Sequence, residues 1–195
     1  MRKRQTNGRK LTAVEQADLE VAEHLAPFHD SLPVRVVGPI AEMGDQPPLY
    51  ALTGGVILAG IATRDWRLTH GGARMMAAHV AATVLKTILK RCVDRTRPAR
   101  IAKDGAYKLG KGRRYETEYN SFPSGHTASS VAVAQALGRA YPGLSGAALG
   151  AAGTIAGLQV IRSKHFPSDI VAGAAIGLAA EKAVDLIFRH FPARP

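Results

Sequence analysis

The chain has 195 residues, 46% of them hydrophobic, one cysteine, and a formal net charge of +11 from 26 Lys and Arg against 15 Asp and Glu. That length suits one domain with its own core, and the lone Cys92 excludes an intrachain disulfide and a cysteine-built zinc site. The positive charge points to an anionic partner. Aromatics are only 6% and are not interleaved with the basic residues, which argues against nucleic acid as that partner.

Residues 1–10, MRKRQTNGRK, read as a basic tail without the apolar stretch of a cleavable signal peptide, and residues 11–195 as a single helical domain. The tail is either solvated or attracted to an anionic membrane surface. LTAVEQADLEVAEHLAPF predicts an amphipathic helix, with Thr12 and Glu15 spaced as a capping box and Leu11, Val14, Leu19, Val21 and Leu25 near one face. The uncharged run 46–63 is barely long enough to span a bilayer and leads into a charged turn, RDWRLTHGGAR.

A helix is predicted over 75–91, ending in cations that complement its dipole. Residues 99–122 read as a long polar connection, of a length that usually serves a site or is disordered. Three further helices are predicted at 124–139, 143–163 and 167–189, and the uncharged, Gly- and Ala-rich run 140–161 allows close backbone approach. Strand alternation is nowhere sustained, so the fold class is all-α, a helical bundle. The two uncharged runs, 46–63 and 140–161, favour a membrane location. The mean hydropathy of −0.03 keeps a soluble or surface-bound bundle as the alternative.

Three clusters carry chemistry. In KRCVDRTRP, Lys90 at a helix end and Arg97 just beyond it can converge on one anion. In PSGHTASS, Ser124 and Gly125 open an apolar helix whose first N–H groups suit a phosphate, and His126 adds a group able to carry a proton near neutral pH. In RSKHFPSDIVAG, Pro167 belongs in a first helical turn, so that Asp169 can accept a hydrogen bond from one nitrogen of His165 and leave the other as a nucleophile. Read singly, each cluster also suits a decorated helix end, an ordinary N-cap or a core histidine. Together they make a complete set for phosphoryl transfer that calls for no metal or other cofactor.

The three clusters resemble the type 2 phosphatidic acid phosphatase superfamily, which includes class A acid phosphatases and vanadium haloperoxidases. Its first motif matches at Lys90, Arg97 and Pro98, its second at Pro123 to His126, and the second half of its third at His165 and Asp169. The Ser-Arg pair that normally opens the third motif is replaced by Leu158 and Gln159. Arg162 lies three residues on and is the candidate substitute for the missing arginine. The resemblance implies an acid phosphatase/vanadium haloperoxidase-like bundle in which His165 attacks phosphorus, Asp169 steadies the ring and His126 protonates the leaving oxygen. Lys90, Arg97, Ser124, Gly125 and Arg162 would hold the other oxygens.

The expected activity is hydrolysis of a phosphate monoester or diphosphate through a phosphohistidine, on a phosphorylated lipid at a membrane. The alternatives are a soluble acid phosphatase acting on small phosphate esters, a vanadate-dependent haloperoxidase, and a non-catalytic basic membrane-surface protein. If the predicted helices all span, the motif loops share one side, which the positive-inside rule would make cytoplasmic.

Overall fold

The structure is a computed structural model and describes residues 5–6, 10–112 and 116–190. The fold is the expected helical bundle. Its helices are α1 (Ala13–Leu25), α2 (Leu32–Glu42), α3 (Gln46–Thr63), α4 (Trp66–Cys92), α5 (Pro98–Asp104), α6 (Gly125–Ala140), α7 (Ser145–Ile161) and α8 (Pro167–Phe188). Helix α6 is central and packs against α4, α7 and α8, while α3 lies along α4.

Alanine dominates the core, through Ala78, Ala82, Ala132, Ala136 and Ala180 with Leu49, Met75 and Val133. Such small side chains hold a bundle together by close approach of helices. At Gly60 a Cβ would stand 2.4 Å from the backbone nitrogen of Thr69, so α3 and α4 touch backbone to backbone there. This contact explains why the stretch read as a charged turn folds instead into the first turns of α4, with only Arg64 and Asp65 left between the helices. Asp65 caps α4 by accepting from the Leu68 N–H.

Three other expectations are corrected. The capping box of Thr12 and Glu15 forms, but α1 buries Glu15, Asp18 and Leu19 and leaves Val14 61% exposed. Polar partners turn the helix: Arg95 donates to Asp18 at 2.7 Å and the Tyr107 hydroxyl to Glu15 at 3.0 Å. Two bonded carboxylates outweigh one buried valine. Second, α2 was not expected, since Pro33, Gly38 and Pro39 obscure its period; Leu32, Val36 and Ile40 recur every four residues on its exposed face.

Third, the connection 99–122 is largely ordered. It holds α5 and the short strands β3 (Ala106–Tyr107) and β4 (Leu109–Lys111). Strand β4 pairs antiparallel with β2 (Val93–Arg95), and β3 pairs in parallel with β1 (Gln5–Thr6), in the basic segment 1–10, of which residues 5, 6 and 10 are described. Beneath this layer Leu19, Tyr107 and Phe166 form a second core that joins α1 to the start of α8.

Among the described residues, Pro142–Ile161 alone is long and apolar enough to cross a membrane by length and composition. The other expected run, 46–63, folds as one helix without meeting that measure. Exposed apolar side chains nonetheless mark the outer faces of several helices, among them Leu58, Ile61, Val84, Ile88, Val171 and Leu178.

Candidate active site

The end of α4, the start of α6 and the α7–α8 turn meet at one end of the bundle, joined by the segment 116–121. Lys90 donates to the Asn120 carbonyl at 2.7 Å, the Arg97 N–H to the Glu118 carbonyl at 2.9 Å, and the Ser124 N–H to the Asp169 carbonyl at 3.1 Å. The α7–α8 turn is closed by the Gln159 carbonyl, which accepts from the N–H groups of Lys164 at 3.0 Å and His165 at 3.2 Å. Pro167 then opens α8 as expected.

His165 is almost fully buried, and its Nδ1 lies 2.7 Å from the Ser121 carbonyl oxygen. A carbonyl can only accept, so Nδ1 carries the proton and Nε2 keeps its lone pair. This corrects the expected direct bond to Asp169, whose Oδ2 is 3.8 Å from Nδ1. Asp169 instead accepts from Arg95 Nη1 at 2.7 Å, the Ser121 hydroxyl at 2.6 Å and the Phe166 N–H at 2.8 Å. Its negative charge still lies behind the ring, and through Ser121 it holds the segment that fixes the tautomer. Burial pushes His165 down to about 4 against the pull of Asp169, with Lys90 and Arg97 adding to the fall, so the ring is neutral near pH 7.

Facing the histidine are groups suited to an anion. Arg97 Nε is buried with no partner among the described residues, an arrangement that is costly unless a ligand completes it. The N–H groups of Gly125 and His126 come too early in α6 for intrahelical acceptors. Ser124 is fully buried, and its hydroxyl caps α6 by accepting from the Thr127 N–H, which leaves its own proton to donate. Its side chain serves the helix terminus.

His126 Nε2 lies 3.3 Å from Glu42 Oε2 at the end of α2. Arg162 does not point freely into the site. It donates to Glu42 Oε1 at 2.6 Å and to the Gly38 carbonyl at 3.1 Å, and Lys164 shares the same carboxylate oxygen at 2.6 Å. Gln159 is fully buried, donating to the Ala41 carbonyl at 3.1 Å. Despite partial burial, Lys164 and Arg162 hold Glu42 down at about 2, so it is ionised at all ordinary pH. The cluster borders a cavity of about 570 Å³ that also meets Arg35 and Pro39. Glu42, Asp45 and His126 bring potential metal ligand atoms within 4.8 Å of one another. Arg162 and Lys164 already neutralise Glu42, and their charge opposes a divalent cation there.

Arg95, Ser121, Asp18 and Glu42 join the site without a local signal in the sequence. Arg95 stands inside KRCVDRTRP, between two cations that match a motif, and nothing local separates it from a solvated arginine. It is in fact buried between Asp18 and Asp169, its guanidinium carbon 4.3 Å from the Phe166 ring centre. Glu42 came from a helix that was not expected.

A helical bundle that gathers two histidines, a carboxylate and an unpartnered arginine nitrogen beside a helix N-terminus has the groups that a phosphate site needs. The model of the PAP2 superfamily matches residues 71–190, and the chain belongs to that superfamily. It is 34% identical over 93 residues to a lipid A 1-phosphatase of Porphyromonas gingivalis, covering 44% of this chain and 21% of that protein. It is 29% identical over 106 residues to a lipid A 1-phosphatase of Rhizobium johnstonii, covering 54% of this chain and 43% of the relative. The chain thus spans less than half the length of these curated relatives.

Two solved structures share the fold. Aquifex aeolicus LpxE superposes with a TM-score of 0.63 at 22% identity, over 85% of this chain and 93% of the other. A transmembrane PAP2-type phosphatidylglycerolphosphate phosphatase from Bacillus subtilis gives 0.64 at 22% identity, over 95% and 90%.

Proposed function

We propose that this protein is a membrane-associated phosphatase that hydrolyses a phosphorylated lipid through a phosphohistidine on His165. The observation that carries the reading is the His165 ring, neutral, with Nδ1–H held by the Ser121 carbonyl and Nε2 unprotonated beside Lys90 and Arg97. Nε2 attacks phosphorus, forming an N–P bond as the P–O bond to the alcohol breaks. His126 gives its proton to the departing oxygen and then takes one from the water that cleaves the N–P bond, releasing phosphate. The positive charge on the phosphorylated ring is balanced by Asp169 and the Ser121 carbonyl.

Lys90, Arg97 and the first N–H groups of α6 neutralise the equatorial oxygens. These side chains supply nucleophile, acid and charge without calling on a metal. The apolar outer faces and the run Pro142–Ile161 favour a lipid over a water-soluble ester. The relatives that act on lipid A point the same way, to a phosphate on a large lipid headgroup.

Mass spectrometry of protein denatured at alkaline pH, where an N–P bond survives, after mixing with a lipid phosphate tests the mechanism. A phosphoryl adduct on the wild type that is lost in His165→Ala is expected. An adduct that persists in the variant, or turnover with no adduct and no loss in His165→Ala, overturns it. Phosphate release from lipid and water-soluble esters in parallel separates the lipid substrate from a small one.

A further inference from the structure

Helix α4 carries a second lysine one turn before Lys90. Lys86 and Lys90 are four residues apart and so share a face of the helix. Lys86 is only 6% exposed. Its ammonium lies against the start of α6, where a Cβ added at Gly125 would be 3.0 Å from Nζ and 3.1 Å from Cδ. It is near enough to Lys90 for the two charges to repel each other. Asp45 attracts it from the start of α3 without an ion pair, and spends Oδ1 on the Gln46 N–H. Among the described residues no carboxylate stands within ion-pairing distance of Lys86.

An ammonium on a nearly buried side chain, with no carboxylate in ion-pairing reach, pointed at a helix N-terminus and beside another cation, is destabilised relative to water. An anion placed between Lys86, Lys90 and the N–H of Gly125 offsets that cost. The third motif, meanwhile, holds Gln159 where the superfamily pattern has an arginine, and Gln159 is spent on the Ala41 carbonyl. Arg162, the nearest substitute in sequence, is occupied by Glu42 and Gly38.

We propose that Lys86 is the third cation of the phosphate site, binding the transferred phosphoryl group from the α4 side in place of the arginine absent at Gln159. The assignment rests on the phosphatase reading for its catalytic consequence, but not for anion binding itself.

The test compares wild type, Lys86→Met and Lys86→Arg by phosphate release, by vanadate affinity from calorimetry, and by thermal unfolding. Lys86→Met is expected to lower kcat/KM about 100-fold, the scale of one lost transition-state donor, and to weaken vanadate at least about tenfold. Its Tm should hold or rise, because an unpaired buried charge has been removed. Lys86→Arg should restore vanadate binding to within about threefold of wild type. Vanadate affinity unchanged in Lys86→Met, or a Tm that falls in step with activity, overturns the proposal. If wild type binds vanadate but hydrolyses no ester, the phosphatase reading fails while the vanadate comparison still decides the role of Lys86. A wild type that binds neither vanadate nor phosphate ends both.

Discussion

Arg95 offers the sharpest test of how the site is held. Its guanidinium donates to Asp18 on α1 and Asp169 on α8, both at 2.7 Å, and also to Ser168, and all three charged side chains are buried. Burial opposes the charge, but Asp169 and Asp18 raise the guanidinium above its ordinary value, so the cation is permanent. Arg95→Met keeps the bulk and strands two carboxylates. Breaking a buried pair from one side costs about 3–5 kcal/mol, a large share of the 5–15 kcal/mol that is ordinary for a folded chain, roughly a third. For a chain of this length that is a fall in Tm of about 10 °C.

The double variant Arg95→Met with Asp18→Asn removes one of the stranded charges and should recover about half of that loss, because the two changes share a partner. Thermal unfolding in detergent, followed by the fluorescence of Trp66, reads both. Activity should fall further than stability explains, by about 100-fold in kcat at temperatures where the variant is folded, since Asp169 and Ser121 together align His165. A Tm within about 2 °C of wild type would refute the claim that this buried triad ties α1 to the site.

Three further outcomes follow from the charges around the histidines. With His165 down at about 4 instead of the usual 6.5, the acidic limb of kcat/KM should lie near pH 4, and a pH–rate profile with a single limb at 6.5 would contradict the buried, neutral ring. The same shift has a stability sign. Below 6.5 the unfolded histidine takes a proton that the folded one refuses until about 4, so His165 makes the fold less stable as pH falls through that window. Glu42→Gln removes the anion that occupies Arg162 and Lys164, so KM for a phosphate ester should fall about fivefold, equal to about 1 kcal/mol for one half-exposed charge. Steady-state kinetics check this, and an unchanged KM would show that the substrate's phosphate never competes with Glu42.

Much of the site was readable along the chain because its parts are local. Lys90 and Arg97 bracket a helix end, Ser124 to His126 make a helix start, and Pro167 sets the turn in which Asp169 lies. Each such feature depends on backbone rules that act over four to seven residues. The bundle itself followed from helical periodicity and from small residues where helices cross. Helix α2 escaped because two prolines and a glycine break its pattern, and its stability comes from the packing of Gly38 and Ala41 against α7.

By itself the sequence determined the candidate groups and that they come in three segments, since residue type and spacing limit what chemistry a chain can carry. Only the tertiary structure decided which partner each group meets. Proton placement on His165 falls to a backbone carbonyl, and any residue at position 121 would supply one. The inward turn of α1 depends on Arg95, dozens of residues away, and the freedom of Lys86 depends on what surrounds it in space. Hydrogen bonds and ion pairs act over about 3–4 Å between atoms, and a linear pattern carries no record of which distant residues come that close.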